Sequence, residues 1–221
     1  MNVIEIVKQG LLHAGVGWIL WLLALLSVAS LGIALERWWY LRKRHADLRI
    51  LAAQLDRDLA AGDLNVAIAN LRDRGVAAEI AVAGLRLAHL GPVAAEKAMN
   101  SAMALQRSQL ERGLAYLATL GNNAPFIGLF GTVVGVIEAF EELGHSSPGH
   151  GGAGQAASQA VMSSIAEALV TTAVGIAVAL PAVVLFNWFS RTIAQMLQGS
   201  EALSQLVLAY LSAKPPDAKD A

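Results

Sequence analysis

The residues of this chain whose types could do chemistry inside a membrane are one carboxylate and two hydroxyls. Thr132 lies in the apolar stretch 113–137, and Thr172 lies in the apolar stretch 168–190. Glu167 directly precedes that second stretch. A carboxylate at membrane depth costs roughly 3 kcal/mol or more to insert, so it is expected to face protein or water. The three side chains therefore predict the lining of an ion path.

Both threonines lie on helical faces made of small residues. At about 100° per residue, the small residues of the stretch that contains Thr132 share one side of a helix. They are Gly121, Ala124, Gly128, Gly131 and Gly135. Thr172 likewise shares a face with Ala168, Gly175 and Ala179, and Glu167 lies at its edge. Small residues at this spacing also let helix backbones approach closely, so we interpret Gly128, Gly131, Gly135 and Gly175 as packing residues.

Each of these polar groups also has a structural interpretation, which the sequence leaves open. A threonine can satisfy its hydroxyl within its own helix. Glu167 could lie shallow enough to reach the outer interface, or could be held by a structural hydrogen bond. Asn187, near the far end of the third stretch, could bond across helices or meet water there. Pro181 frees a backbone carbonyl and can kink a helix, which is an architectural role.

The elements that must position these residues are transmembrane helices. The chain has 221 residues, of which 56% are hydrophobic and 15% charged, unlike an ordinary soluble domain. Three stretches, 14–35, 113–137 and 168–190, lack Asp, Glu, Lys and Arg and are each long enough to cross a bilayer. We therefore predict an all-α integral membrane protein with three spans, two of them extended into a cytoplasmic helical bundle.

Charge and composition exclude several other classes of function. The net charge of −1 gives no basic field for nucleic acid, and the absence of cysteine excludes disulfides and thiolate metal sites. His145 and His150 lie in a glycine-rich loop with no fixed third ligand, which is weak support for a metal site. We expect no cofactor and no metal.

The distribution of Lys and Arg predicts the orientation, because basic residues near the spans stay in the cytoplasm. They follow the first span, precede the second and follow the third, whereas the connection 138–167 has none. Trp38, Trp39 and Tyr40, at the end of the first span, are interpreted either as interfacial anchors or as packing residues. The predicted order is a periplasmic segment (1–13), the first span (14–38), a cytoplasmic helical domain (39–112), the second span (113–143), a periplasmic loop (144–157), the third span (158–190) and a C-terminal cytoplasmic helix and tail (191–221).

The cytoplasmic segment is predicted to be helical, with breaks at glycine and proline. Gly62-Asp63 ends one helix and caps the next, Gly75 ends that one, and Gly91-Pro92 starts another. From Val93 to about Leu143 we predict a single helix that runs from the cytoplasm through the second span. Because three helices cannot enclose a wet lumen alone, the polar face also predicts an oligomer. Its shortage of titrating groups predicts that a partner supplies one.

Two segments resemble the ExbB, TolQ and MotA group of proton-channel subunits, and most closely its ExbB/TolQ branch. They read APFIGLFGTVVGVIEAF at 124–140 and IAEALVTTAVGIAVALPAVVLFN at 165–187. The resemblance implies a pentamer around transmembrane helices of an ExbD-like or TolR-like partner with an intramembrane Asp. Proton flow through that Asp would energise a TonB-like or TolA-like effector. It also implies a bacterial inner-membrane location and a transport component driven by the proton motive force, not an enzyme.

Matched residue by residue, the resemblance implies that Thr132 and Thr172 line the lumen and that Glu167 is the glutamate of the third span. Asn187 matches a polar position near the end of the lumen. Val134 departs from the ExbB/TolQ motif, which commonly has Trp there, and the His/Gly-rich loop is a second departure. Two other classes stay open: a non-conducting membrane scaffold and a self-sufficient ion channel. The channel is disfavoured because the sequence has no inverted repeat.

Overall fold

The structure of the chain, a computed structural model, describes residues 15–44, 47–145 and 153–213. Within these ranges it consists of helices and turns and has no strand, which confirms the all-α prediction. The helices are α1 (Gly17–Arg44), α2 (Leu48–Ala60), α3 (Leu64–Leu71), α4 (Val76–Arg86), α5 (Pro92–Leu110), α6 (Leu114–His145) and α7 (Ala153–Ala213), with a 3-10 turn at Ala88–Leu90. The chain divides into two compact units.

The first unit comprises the described residues up to Ala34 together with Ala115–Asn187. Its core contains apolar residues from α1, α6 and α7. They are Val16, Ile19, Leu23, Leu120, Ala124, Val134, Ala179 and Ala182. Tyr116 anchors α6 to α1, because its hydroxyl donates to the carbonyl oxygen of Leu26 at 3.1 Å.

Large apolar side chains on α1 and α7 remain outside that core. Leu25 and Val28 are 67% and 70% exposed, and Leu180 is 62% exposed. By length and composition, the segments Gly17–Ala60 and Ser158–Ala213 are each apolar enough to cross a membrane. The first and third predicted spans lie largely in these segments. The second predicted span, in α6, is not among them and stays a prediction.

The second unit comprises Leu35–Leu114 together with the described residues from Trp188 onwards. Its short helices begin where the sequence predicts. Asp63 caps α3, since its carboxylate accepts from the backbone N–H of Asn65 at 3.0 Å and of Val66 at 3.2 Å. Gly75 precedes α4 with a φ of 97°, and Pro92 opens α5. The predicted breaks at Gly62-Asp63 and Gly91-Pro92 are therefore confirmed, whereas α3 ends at Leu71, four residues before Gly75.

The prediction of one helix from Val93 to Leu143 is wrong. Helix α5 ends at Leu110 and α6 begins at Leu114. Gly113 has a φ of 79°, in the left-handed region that ends helices and that glycine adopts without a Cβ clash. The N–H of Glu111 still donates to the carbonyl oxygen of Arg107 at 2.9 Å, which closes the last turn of α5. Pro125, in contrast, lies inside α6 without ending it.

A buried arginine secures the end of α5. Arg37 is only 4% exposed, and its Nη1 donates to the carbonyl oxygen of Gln109 at 3.0 Å. That oxygen belongs to the last turn of α5, where carbonyls lack a partner in their own helix. Nη2 pairs with Glu36 Oε1 at 2.8 Å, and the guanidinium lies 4.8 Å from the centre of the Tyr40 ring. Arg37 therefore joins α1 to α5 close to the break at Gly113.

Candidate ion path on helices α6 and α7

Helices α6 and α7 meet through their backbones at a pair of glycines. A Cβ on Gly175 would lie 2.7 Å from the carbonyl oxygen of Ala124 and 3.0 Å from the Cα of Gly128. A Cβ on Gly128 would lie 2.9 Å from the carbonyl oxygen of Thr171. Real Cβ atoms do not approach backbone atoms this closely, so any other residue at either position would force the helices apart.

The glycine face of α6 also packs against α7 at Gly131 and Gly135, towards the end of the helices that the charge distribution predicts to face outward. Gly131 faces the side chain of Thr171, and a Cβ added there would overlap it. A Cβ on Gly135 would lie 2.6 Å from the Cβ of Ala168 and 3.3 Å from the carbonyl oxygen of Ser164. The three glycines thus pack against α7 over about two turns of α6.

Thr172 lies at this contact and donates a hydrogen bond across it, from α7 to α6. The side chain is half-buried, and Oγ1 donates to the carbonyl oxygen of Gly128 at 3.0 Å. A hydroxyl has one donor and two acceptor lone pairs, so Oγ1 can still accept hydrogen bonds from water or from a protonated acid. In this position Thr172 both holds α6 to α7 and offers an acceptor.

Thr132 uses its hydroxyl differently, within its own helix. Its Oγ1 donates to the carbonyl oxygen of Leu129 at 2.7 Å, and the residue is half-buried. Thr171, which is fully buried, also bonds within its helix, to the carbonyl oxygen of Glu167 at 3.0 Å. Both threonines proposed for the path therefore donate to backbone carbonyls, Thr132 locally and Thr172 across the interface.

The remaining predicted path residues are exposed in the single chain. Glu167 and Asn187 both lie on exposed positions of α7. Pro181 is also exposed and lies inside α7, which continues through it. Of the two histidines considered as metal ligands, His150 and the side chain of His145 lie outside the described part. A surface that is exposed in one copy is available to a second copy, to a partner helix or to water.

One acid that the sequence interpretation overlooked lies beside the predicted path. Glu138 is half-buried on α6, one turn beyond Gly135, and is close enough to Glu167 and Glu142 to interact with them electrostatically. Glu142 Oε2 accepts a hydrogen bond from Ser164 Oγ at 3.0 Å. The signal was present, because Glu138 continues the spacing of Gly131 and Gly135 along one helical face.

The chain was compared with known proteins. Residues 72–202 match the model of the MotA/TolQ/ExbB proton channel family, and this range includes all four predicted path residues. The biopolymer transport protein ExbB of Xanthomonas campestris is 40% identical over 96 residues, which are 43% of this chain and 35% of that protein. The Tol-Pal system protein TolQ of Pseudomonas aeruginosa is 40% identical over 103 residues, which are 47% of this chain and 41% of that protein. The biopolymer transport protein ExbB of Neisseria gonorrhoeae is 39% identical over 106 residues, which are 48% of this chain and 45% of that protein. The chain thus spans less than half the length of these relatives.

Proposed function

Since the chain belongs to the MotA/TolQ/ExbB proton channel family, in its ExbB/TolQ branch, we propose that it is the channel subunit of a proton-driven motor in a bacterial inner membrane. The observation that carries this proposal is the family match over residues 72–202, which includes α6 and most of α7. The proposed activity is energy transduction from the proton motive force, without enzymatic chemistry.

The proposed assembly is a ring of five copies, each with three spans. Helix α6 supplies the second span, the N-terminus faces the periplasm, and the C-terminus lies in the cytoplasm. Exposed polar residues on α7, Glu167 and Asn187, support this arrangement, because the single chain does not cover them. Intramembrane acids generally face protein or a water-filled cavity. A ring would give Glu167 such a surrounding.

Within the ring, the path is lined by Thr132, Thr172, Glu167 and Asn187. Thr172 has acceptor capacity left after its bond to Gly128, so it can accept a hydrogen bond from water or from a protonated carboxyl. Threonine does not titrate near neutral pH, and Glu167 is the one acid among these four residues, so we expect the relay to need a further acid. We assign that acid to the partner, an ExbD-like or TolR-like protein with a single span and an intramembrane Asp.

The names of the same relatives support a proposal for the effector of the motor. One set is named for biopolymer transport and the other for the Tol-Pal system. We propose a TonB-like or TolA-like effector that the ring and its single-span partner energise. Glu138 is a candidate addition to the outer end of the path, since it lies near Glu167.

One observation favours a second candidate, a non-conducting membrane scaffold. Thr132 and Thr172 both donate to backbone carbonyls, and a purely structural threonine would do the same. In a scaffold, only substitutions that disturb helix packing would change activity in cells.

The deciding experiment replaces Glu167 by Ala and Thr172 by Ala in cells that depend on the chain and its partner for growth. We expect both variants to insert and assemble normally while losing energy transduction, because neither side chain fills the core of the first unit. Glu201→Ala is the matched control, since Glu201 is an exposed acid on the same helix. Membrane fractionation and cross-linking check assembly in each variant.

Two outcomes would contradict the motor. Full activity of both variants would remove the proposed path and support the scaffold. Proton flux through liposomes that contain the purified chain without any partner would instead support a self-sufficient channel.

A further inference from the structure

The last two turns of α1 carry a ladder of cations stacked on aromatic rings. Three aromatic residues are each followed four positions later by a cation that lies over the ring. The pairs are Trp38 with Arg42, Trp39 with Lys43 and Tyr40 with Arg44, at 5.3, 5.8 and 5.2 Å from the ring centres. Residues four apart are neighbours on a helix, so the ladder follows directly from the sequence WWYLRKR. Stacking restricts where these long side chains can point.

Two arginines of this basic segment, Arg37 and Arg44, bond to other helices of the second unit. Arg37 is buried against Gln109, as described above. Arg44 Nη1 lies 3.2 Å from Glu79 Oε2 and 3.3 Å from Gln106 Oε1, which ties α1 to α4 and α5. These two arginines have protein partners on the inner side of α1.

The other two cations contact only aromatic rings of α1 among the residues that the structure describes. Arg42 and Lys43 are exposed, and neither has an ion pair among the residues that the structure describes. Their rings are exposed as well, with Trp38 at 44% and Trp39 at 67%. The ladder therefore presents two exposed pairs. In each pair an indole is followed, about one helical turn further along α1, by a cation without an ion pair among the described residues.

That order matches the order of groups in a phospholipid monolayer. The apolar part of α1 ends shortly before the indoles, and indole rings prefer the depth of the interface. Arg42 and Lys43 lie about 6 Å further along the helix axis, where lipid phosphates lie. Anionic headgroups attract such cations at the membrane surface.

We propose that Arg42 and Lys43, held over Trp38 and Trp39, bind the phosphate headgroups of anionic phospholipids at the end of the first span. The inference needs the chain to be in a membrane but does not need the proton path. Lys43 also lines an open groove with Asp47, Asp73 and Arg74, so two nearby carboxylates oppose an anion there. Arg42 should therefore contribute more than Lys43.

The test measures the lipids that the full chain retains. The purified chain is equilibrated in mixed micelles of phosphatidylglycerol and phosphatidylcholine in equal amounts, and native mass spectrometry counts each bound lipid. We expect enrichment of phosphatidylglycerol in the wild type. The double variant Arg42→Gln/Lys43→Gln should lose most of it, by about five-fold per cation removed. Arg49→Gln/Arg57→Gln is the control, because it removes two exposed cations from α2.

Further variants distinguish the ladder from net charge. Trp38→Leu/Trp39→Leu keeps both charges, and we expect it to reduce the enrichment by a smaller factor than the charge variant. Equal enrichment in the wild type and the Arg42/Lys43 variant would overturn the proposal, as would an equal loss in the control. Release of the lipid by millimolar inorganic phosphate would indicate a soluble anion site and would also overturn it. Glu167→Ala should leave the enrichment unchanged, so this result and that of the motor test are independent.

Discussion

In the first unit, α6 and α7 touch through the backbones of Gly128 and Gly175. In the second unit, helices touch through larger side chains such as Leu55, Ile80 and Met99, all at most 1% exposed. The polar groups differ in part. Hydroxyls donate to backbone carbonyls in both units, and the second unit has in addition an aspartate helix cap and an ion pair between α1 and α4.

The contrast follows from the solvent that each unit is expected to face. In lipid, apolar side chains gain nothing by leaving the solvent, so helices associate through close van der Waals contact at small residues. In water, burial of apolar area drives association, and exposed helix ends need caps. The following substitutions test whether each unit depends on the interactions that this contrast assigns to it.

The largest effect is expected from Gly175→Ala. Its new Cβ would lie 2.7 Å from the carbonyl oxygen of Ala124 and 3.0 Å from the Cα of Gly128, and backbone cannot rotate away as a side chain can. We expect a loss of about 3 kcal/mol, the upper end of the cost of overpacking. Chemical unfolding of the purified chain in detergent measures it. Gly32→Ala is the control, since a Cβ there meets nothing within 4 Å. If the Gly175 variant were as stable as the Gly32 variant, the close backbone contact at Gly175 would not contribute to stability.

In the second unit, the largest effect is expected from Arg37→Met. The change keeps much of the apolar volume but removes the donor to the carbonyl oxygen of Gln109 and the pair with Glu36. Hydrogen bonds from charged groups contribute about 1.5–3 kcal/mol, and we expect a loss of about 2 kcal/mol. Thermal unfolding followed by circular dichroism measures it. Arg72→Met removes an exposed cation and should change the stability little; equal losses in both variants would contradict a specific role for Arg37.

A smaller effect is expected from Asp63→Ala. The carboxylate caps the first turn of α3, and loss of such a cap costs about 1 kcal/mol. Hydrogen exchange of the amides of Asn65 and Val66 should also become faster. Asp56→Ala, at an exposed position in the middle of α2, is the matched control. Unchanged exchange at both amides would show that the cap does not hold the helix end in solution.

The smallest change in stability is expected from Thr172→Val, which is nearly isosteric but cannot donate to the carbonyl oxygen of Gly128. Hydrogen bonds between membrane helices average about 0.6 kcal/mol, so the variant should fold and assemble. Thr119→Val on α6 loses only a bond to its own helix and serves as the control. Energy transduction should nevertheless fall in the Thr172 variant and not in the Thr119 variant. Normal energy transduction in the Thr172→Val variant would contradict a role of the hydroxyl in the ion path and leave it only a structural role.

Local signals predicted much of this fold. Asp63 and Pro92 mark helix starts by their own chemistry, so the breaks of the second unit were predictable. Gly113 was misinterpreted, because the sequence does not distinguish a glycine inside a helix from one that adopts a positive φ and ends it. The choice depends on contacts distant in sequence, such as the bond from Arg37 to Gln109.

For the candidate site, the sequence predicted which residues share a helical face but not which residues they contact on the other helix. The periodicity placed Gly128, Gly131 and Gly135 on one face, but it did not give the partner of each glycine, since that depends on how α6 and α7 are aligned. The bond from Thr172 to Gly128 follows from that alignment and was not foreseen. Glu138 lies one residue beyond the charge-free stretch 113–137, so the periodicity of that stretch did not include it.

The glycine contact also has an entropic consequence. Glycine has no side-chain rotamers, so closing α6 onto α7 at Gly128 and Gly175 immobilises no χ angle. Each buried leucine of the second unit, in contrast, gives up about 0.5–1 kcal/mol of rotamer freedom. At these two positions the helices can move relative to each other without a change of rotamer, and Thr172 is the neighbouring side chain that must break its bond to Gly128. Small movements at the glycines would therefore carry little penalty in side-chain order.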